Sequence, residues 1–436
     1  MIKAVSEREL VLGILLEVTR DGEYSHIALR NVLNKYQYLD KKERAFITRV
    51  TEGTLEHMIE LDYIINQFSK VKVNKMKPVI RNILRSAVYQ LKYMDSVPNS
   101  AVCNEAVKLA TKKGFSNLKG FVNGVLRNIE RNLETITYPD ETNVIEYLHI
   151  KYSMPKWILE QWLSKYDRDT VETMLRDFQK EKPTTIRCNL NQMSKEQLME
   201  ELKTEGVEVQ EHPYLPYALQ ISGYDYLADL KAFQQGAFYV QDISSMLVSH
   251  IAEPKEGDIC IDVCAAPGGK ALHMAELLHG TGHVEARDLT DYKVNLIQEN
   301  IVRSGMHNIE AVRWDATVLD EDSVEKADVV IADLPCSGLG VLGKKTDLKY
   351  KMTEQTQGEL VKLQREILSV VKQYVNLGGT LVYSTCTIHE AENEGNVEWF
   401  LKENPEYQLI SILQLLPGVH ESDGFFIAKF KKVKYE

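Results

Sequence analysis

A chain of 436 residues, 44% hydrophobic and 26% charged, is too long for one ordinary core and has the balance of a soluble protein of two or three domains. No stretch reaches the length of a membrane span, and the N-terminal MIKAVSERELVLGILLEVTRD mixes charges into its apolar positions and lacks a signal-peptide core, so a cytoplasmic location is expected. The net charge of −11 argues against a uniformly basic nucleic-acid binder, yet from Lys70 to Arg131 there are 13 Lys/Arg against 3 Asp/Glu, a segment that suits a phosphate-binding surface as well as it suits a solvated helical face.

Residues 1–135 read as helices throughout. ERELVLGILLEVTR, KKERAFITRVTEGTLEHMIELDYIINQF and MKPVIRNILRSAVYQLKYM repeat apolar residues at three- and four-residue spacing. NSAVCNEAVKLATKKG opens on an Asn/Ser cap signal and ends at Gly114, and NLKGFVNGVLRNIERN follows. No strand pattern interrupts them, which predicts an all-α domain. TITYPDETN is the linker, and Pro155 in YSMPKWILEQWLSKYD marks the first turn of another helix.

Residues 143–235 then give a small α/β module: PTTIRCNLN as strand, SKEQLMEELKTEGVEV as helix followed by strand, ALQISG as strand. Over 236–436 strands alternate with helices. DICIDVC, GHVEARD, IEAVRWD, ADVVIADL and GGTLVYSTC are the strand candidates, and the alternation predicts a parallel, doubly wound, Rossmann-like sheet. DGFFIAKFKKV closes it as an antiparallel edge.

Ligands of such sheets bind at the carboxyl ends of the strands, and the motif-bearing turns fall there. In DVCAAPGGKALHMA, Gly268 and Gly269 let backbone approach a ligand at the start of a helix, and Asp262 can bond a ligand ammonium. Asp288 ends the next strand, where a carboxylate suits ribose hydroxyls; Asp315 follows the third, within reach of an adenine edge. These features fit a dinucleotide or S-adenosylmethionine, although the absence of G-x-G-x-x-G weakens the hydride-transfer reading.

Six cysteines, at 103, 188, 260, 264, 336 and 386, form neither a disulfide scaffold nor a C-x-x-C metal pair, so no metal is expected and a reducing compartment fits. Each cysteine taken alone reads as a small core hydrophobe. Cys336 in Asp-Leu-Pro-Cys and Cys386 in Ser-Thr-Cys-Thr, however, end two successive buried strands, which brings both thiols towards one substrate. Methylation of cytosine at C5 needs such a pair. A thiolate adds to C6 and makes C5 nucleophilic; after methyl transfer a base removes the C5 proton so that the thiolate can leave. The attacking thiol needs a nearby positive field, which Lys270 or backbone dipoles can supply.

DVCAAPGGK, ADLPCSGLG, STCTIHEAENE and QGAFYVQDISSML closely resemble the RNA cytosine-C5 methyltransferases of the Nop2/Sun type, over roughly residues 150–432. The helical domain resembles the NusB-like RNA-binding domain, a pairing that implies small-subunit ribosomal RNA as substrate. The resemblance implies S-adenosylmethionine as cofactor, held by Cys264, Ala265, Ala266, Pro267, Gly268, Gly269 and Lys270 together with Asp288, Asp315 and Asp333. It also implies Cys386 as nucleophile, Cys336 as the thiol that helps release product, and Lys270 as the cation orienting Asp333, which reaches the target base. Spacing by itself leaves the two cysteine roles open, because DNA cytosine methyltransferases use their Pro-Cys thiol as nucleophile. Leu334 and Thr346 replace the Ala and Pro of many members. GKKTDLKYK stays basic, as expected of an RNA-facing loop.

Three other readings are weaker or finer. A non-catalytic RNA-binding assembly factor would not need Cys336, Cys386, Asp333 and Lys270 together. An oxidoreductase leaves both thiols unexplained. The same chemistry on transfer or large-subunit RNA differs in substrate alone. No dimerisation stripe is evident, so a monomer is expected.

Overall fold

Thirteen residues from Glu7 and sixteen from Pro78 each carry apolar side chains on one stripe, and the computed structural model, which describes residues 5–434, folds them as helices Glu7–Thr19 and Pro78–Tyr93 packed in one core. The chain divides into two units, residues 1–179 with 342–351 and residues 180–341 with 352–436.

The first unit is all-helical. Besides those two, its α-helices are Ser25–Lys35, Lys41–Glu56, Met58–Phe68, Asn99–Lys112, Lys119–Arg131, Val144–Lys151, Lys156–Lys165, Arg168–Phe178 and the short Leu348–Lys351. Ile14, Leu15, Ile47, Val50, Leu61, Ile64, Leu84, Val88, Leu126 and Ile129 are buried at its centre. Each such side chain contributes about 1.5–3 kcal/mol relative to exposure. Local signals set the helix ends: Asp40 and Glu43 form a reciprocal capping box, and Gly114 at φ +86° stops the helix that ends at Lys112. Two expectations change. The long run from Lys41 breaks at His57 into two helices, and the helix beginning at Asn99 has Pro98 at its cap position, with no side-chain cap bond.

The segment 342–351 belongs to this unit, which corrects the expectation of an RNA-facing loop. Asp347 and Lys349 are buried. Asp347 accepts from the Ser25 backbone N–H at 3.1 Å and hydroxyl at 2.6 Å, and pairs with Lys351 at 3.1 Å. Lys349 Nζ donates to the Glu56 carbonyl at 2.8 Å, and burial lowers its pKa to about 8. Lys351 donates to the Gly22 and Glu23 carbonyls and lies over the Tyr24 ring. Lys344 and Lys345 alone of its lysines are exposed.

The second unit holds two sheets. Strands β1 (Thr184–Cys188), β2 (Glu208–Glu211), β3 (Ala218–Ser222) and β4 (Phe238–Val240) form an antiparallel sheet in the order β2-β3-β1-β4. Helix Lys195–Thr204 packs Leu198 and Leu202 into the core of this module, alongside Ile186, Leu219 and Ile221. The three-residue β4 lies within QGAFYVQDISSML and was not foreseen as a strand.

The larger sheet contains β5 (Ile259–Asp262), β6 (His283–Asp288), β7 (Ile309–Arg313), β8 (Ala327–Asp333), β9 (Val375–Thr385), β10 (Tyr407–Leu415) and β11 (Phe425–Lys432), in the order β10-β11-β9-β8-β5-β6-β7. From β9 to β7 all pairs are parallel, and β11 runs antiparallel to β9 and β10. The closing strand is therefore antiparallel but internal, and the edge is β10. Apolar cores line both faces of the sheet. After β7 the chain crosses to the far side of β5, so the turns after β5 and β8 flank a topological switch point, the usual ligand crevice.

Buried Arg187 on β1 pairs with Glu276 and donates to Gln241 Oε1 at 2.7 Å, while the Leu190 N–H donates to Glu276 at 2.9 Å. Such a pair is costly to break because either charge left alone stays buried. It ties the small module to the helix Gly269–Leu277, the one that opens the crevice.

Candidate active site

Parallel pairing builds the site. Asp333 at the end of β8 is the register partner of Ser384 near the end of β9, so the residues that follow leave the sheet side by side. Cys336 and Cys386 come within 3.3 Å, sulfur to sulfur. The turns are locked behind them: the Leu334 N–H donates to the Ser384 carbonyl at 3.1 Å, the Gly340 N–H to the Cys386 carbonyl at 3.0 Å, and the Gly424 N–H to the Gly340 carbonyl at 2.8 Å. A Cβ on Gly340 would fall 1.9 Å from the Gly424 carbonyl oxygen, so only glycine permits this crossing.

The turn after β5 supplies the facing wall. Gly268 takes φ +106° and closes a tight turn, its N–H donating to the Ala265 carbonyl at 2.6 Å, before the helix begins at Gly269. The Ala265 N–H donates to the Arg287 carbonyl at 2.8 Å, and Asn300 Nδ2 to the Pro267 carbonyl at 2.9 Å. Asp288 is buried; it accepts from the Ala266 and Leu289 N–H groups at 3.0 and 2.8 Å and pairs with Lys293 at 3.0 Å. This carboxylate therefore stabilises the turn it borders.

Lys270 projects from the first turn of the helix. Its Nζ lies 2.6 Å from Asp333 Oδ2 and 5.4 Å above the Phe425 ring, while Asp333 Oδ1 accepts from the Ser384 hydroxyl at 2.8 Å. Burial works against the lysine's charge, but the Asp333 carboxylate outweighs it and holds the lysine pKa above its ordinary value. Lys270 also interacts electrostatically with Cys386. Asp262 is buried beside this pair, and burial raises its pKa to about 7, with Lys270 acting in the opposite sense. One oxygen accepts weakly from the Cys264 N–H at 3.4 Å; the other, Oδ2, is buried without a partner.

The structure thus brings together Cys336, Cys386, Lys270 and Asp333, and joins Asp288 to the Cys264–Lys270 turn. Asp315 lies one strand further along the same edge: the Trp314 N–H before it donates to the Asp288 carbonyl at 3.0 Å, and Arg313 is the register partner of Asp288. Asp315 is exposed beyond β7 and accepts from the Thr317 N–H and hydroxyl at 2.9 and 2.7 Å, the local turn that such a residue often forms. A glycine turn at a helix N-terminus, an orphaned carboxylate oxygen on Asp262 and acidic residues at successive strand ends fit a cationic, ribose-bearing cofactor such as S-adenosylmethionine. Among the described residues no group of His, Cys, Asp and Glu is arranged to hold a metal ion.

Sequence reading missed the residues that hold the thiols. Glu392, fully buried, accepts from the Ser337 N–H at 2.9 Å, the Ser337 hydroxyl at 2.5 Å and Gln364 Nε2 at 2.9 Å, and faces His389 Nδ1 at 3.1 Å. Asn393 bridges Thr385 and the Thr387 carbonyl. The only signal was the dense polar run HEAENE directly after Cys386.

Three family descriptions match in the order of the segments described above: the NusB family over residues 5–131, a ferredoxin-like domain of the RsmF/B type over 154–225, and the 16S rRNA methyltransferase RsmB/F over 249–431. A probable ribosomal RNA small subunit methyltransferase B of Bacillus subtilis is 33% identical, covering 99% of this chain and 100% of that one. The ribosomal RNA small subunit methyltransferase B of Klebsiella pneumoniae subsp. pneumoniae is 29% identical, with 99% of each chain covered. Among solved structures, PH0851 aligns with a TM-score of 0.82 at 27% identity over 98% of both chains. NSun6 from Pyrococcus horikoshii, solved with the S-adenosylmethionine analogue SFG, aligns at 0.59 and 26% identity over 64% of this chain and 99% of that one. On a full-length relative at this identity and on the three segments in one order, the chain belongs to the ribosomal RNA small subunit methyltransferase B family, the S-adenosylmethionine-dependent rRNA cytosine-C5 methyltransferases of the RsmB/F, Nop2/Sun type.

Proposed function

We propose that the protein methylates C5 of a specific cytosine in 16S ribosomal RNA, with Cys386 as nucleophile and Cys336 assisting release. The observation that carries this reading is the 3.3 Å separation of the two thiols beside the Lys270–Asp333 pair. Bound S-adenosylmethionine supplies an electrophilic methyl group on a sulfonium. The turn Cys264–Lys270 and the carboxylates of Asp288, Asp315 and Asp333 would hold it, and Asp262, with an oxygen to spare, would accept from its ammonium.

The thiolate of Cys386, in the field of Lys270, adds to C6; the C5–C6 π electrons move to C5, which would take the methyl group as the sulfonium's carbon–sulfur bond breaks and its electron pair stays on sulfur, leaving a neutral thioether. The C5 proton then leaves to a base, the C5–C6 double bond re-forms, and the Cys386–C6 bond breaks to return the thiolate. Cys336 stands next to the bond that breaks. Asp333, held by Lys270 and Ser384, contacts the target base, which enters flipped or from a single strand. Residues 1–135 hold RNA phosphates, 143–235 contact RNA, and 236–436 carry the chemistry. The protein acts as a cytoplasmic monomer; among the described residues no helix is long and apolar enough to cross a membrane.

The test is a denaturation-resistant protein–RNA adduct, formed with S-adenosylmethionine and 16S rRNA. An adduct that accumulates in Cys336→Ala and is absent in Cys386→Ala supports the assignment. The reverse pattern exchanges the roles, and no methylation by wild type with cofactor bound refutes the substrate.

A further inference from the structure

Two thiols 3.3 Å apart pose a selection problem, because a nucleophile must be ionised and two neighbouring thiolates repel. The groups facing them differ. Lys270, from the first turn of the helix after β5, acts on Cys386. Against Cys336 stand Cys386, the buried Glu392 and Tyr383 of β9, while Asp333 is engaged by Lys270 and Ser384. His389 is the titratable side chain that faces the Glu392 carboxylate, and the Tyr383 hydroxyl donates to the Glu392 backbone carbonyl.

Glu392 also grips the turn on both sides of Cys336. It accepts twice from Ser337, and Gln364, which donates to it, donates equally to the Pro335 carbonyl at 2.9 Å. The Ser337 hydroxyl is 2.7 Å from that of Thr387, the residue after Cys386. Three hydrogen bonds donated to one carboxylate are the arrangement that fixes an acceptor in place.

We propose that Glu392 is a positioning residue that selects the nucleophile: it clamps the Pro335–Ser337 turn against Thr387 and sets a buried negative charge beside Cys336, so that Cys336 stays a thiol while Cys386 ionises next to Lys270. The pKa of Cys336 is accordingly pushed far above the ordinary thiol range, by its hydrogen bond with Cys386, then by burial, then by the charges of Cys386 and Glu392. The Cys336 S–H can point at the Cys386 sulfur and stabilise the thiolate there. The inference rests on the proposed roles of the two cysteines and deepens them.

The experiment is competitive alkylation by iodoacetamide from about pH 6 to about pH 9, with label at Cys336 and Cys386 quantified by peptide mass spectrometry in wild type, Glu392→Gln and Ser337→Ala. Wild type labels Cys386 first, and Cys336 only at higher pH. Glu392→Gln, nearly isosteric, moves the partition about tenfold towards Cys336 and lowers the pH at which it reacts; Ser337→Ala, which keeps the charge, leaves the order unchanged. A partition unchanged in Glu392→Gln overturns the proposal. So does wild type labelling Cys336 first or both thiols together, a result that needs no folded variant. The labelling uses neither RNA nor cofactor, so a wrong RNA substrate shows only in the adduct assay and a wrong selector only here.

Discussion

Lys270 and Asp333 form an ion pair of 2.6 Å between the helix after β5 and the end of β8, and the carboxylate's other oxygen is taken by Ser384 of β9. One salt bridge thereby ties the start of the helix after β5 to the ends of both strands that precede the thiols.

Removing its cation costs stability and rate together. Lys270→Met leaves Asp333 facing an apolar side chain. Because Asp333 keeps 23% of its side chain exposed, the loss is set at about 1–2 kcal/mol, below the ~3–5 kcal/mol of a fully buried pair. Methylation falls by about 100-fold or more, since the field at Cys386 goes with it. Urea midpoints and single-turnover rates check both parts; a rate within about threefold of wild type refutes the role.

The segment 342–351 makes a different prediction. Asp347 is 1% exposed and uses both oxygens on Ser25 and one on Lys351. Asp347→Ala leaves the Ser25 N–H and hydroxyl without their acceptor and Lys351 with the Gly22 and Glu23 carbonyls alone, and costs the helical unit about 2–3 kcal/mol. Hydrogen exchange over residues 342–351 should rise at least tenfold, and unchanged protection there contradicts the docking.

That segment also marks where sequence reading ends. GKKTDLKYK has the composition of a solvated loop, and the partners that bury it, Ser25 and the carbonyl of Glu56, lie some 300 positions away, with no local pattern to announce them. Strands β5, β8 and β9 were legible because a parallel strand covered on both faces is a near-continuous apolar run. By contrast β10 was not: an edge strand with exposed Ile410 and Ile412 and scattered burial has no clean period. The thiols were legible as strand-end residues. Glu392 was not, because a carboxylate in HEAENE looks like the acidic first turn of the helix at Glu394.

Glu60 makes the helical unit acid-sensitive in a defined window. It is 1% exposed, pairs with His57 at 3.3 Å and Lys92 at 2.8 Å, and accepts from the Tyr138 hydroxyl at 2.5 Å. Burial alone would raise its pKa; these partners outweigh burial and bring it down to about 2. A carboxylate whose folded pKa lies below its unfolded value, ~4.3, stabilises the fold above that value and loses the contribution as pH falls towards the folded pKa. Glu60→Gln should therefore cost roughly 3 kcal/mol at neutral pH, and its unfolding curve should meet that of wild type near pH 2. Parallel curves over that range refute the assignment.

The basic segment is smaller than its composition suggests. Arg85 pairs with Asp62, Lys92 with Glu60, Lys108 with Glu105, Lys112 and Lys113 with Glu9, and Arg127 with Glu130, so six of its thirteen cations are matched within the unit. Lys70, Lys75 and Lys77 are exposed and form no ion pair among the described residues, so the turn before the helix at Pro78 gathers three unmatched cations that a phosphate could meet. If each meets a phosphate of single-stranded RNA, changing all three to Glu should flatten the slope of log affinity against log salt by about 2, with S-adenosylmethionine affinity unchanged. Lys112→Glu with Lys113→Glu, whose charges Glu9 already offsets, should move the slope by less than half as much. Equal effects from the two sets would mean that RNA follows the net charge of the domain and not this turn.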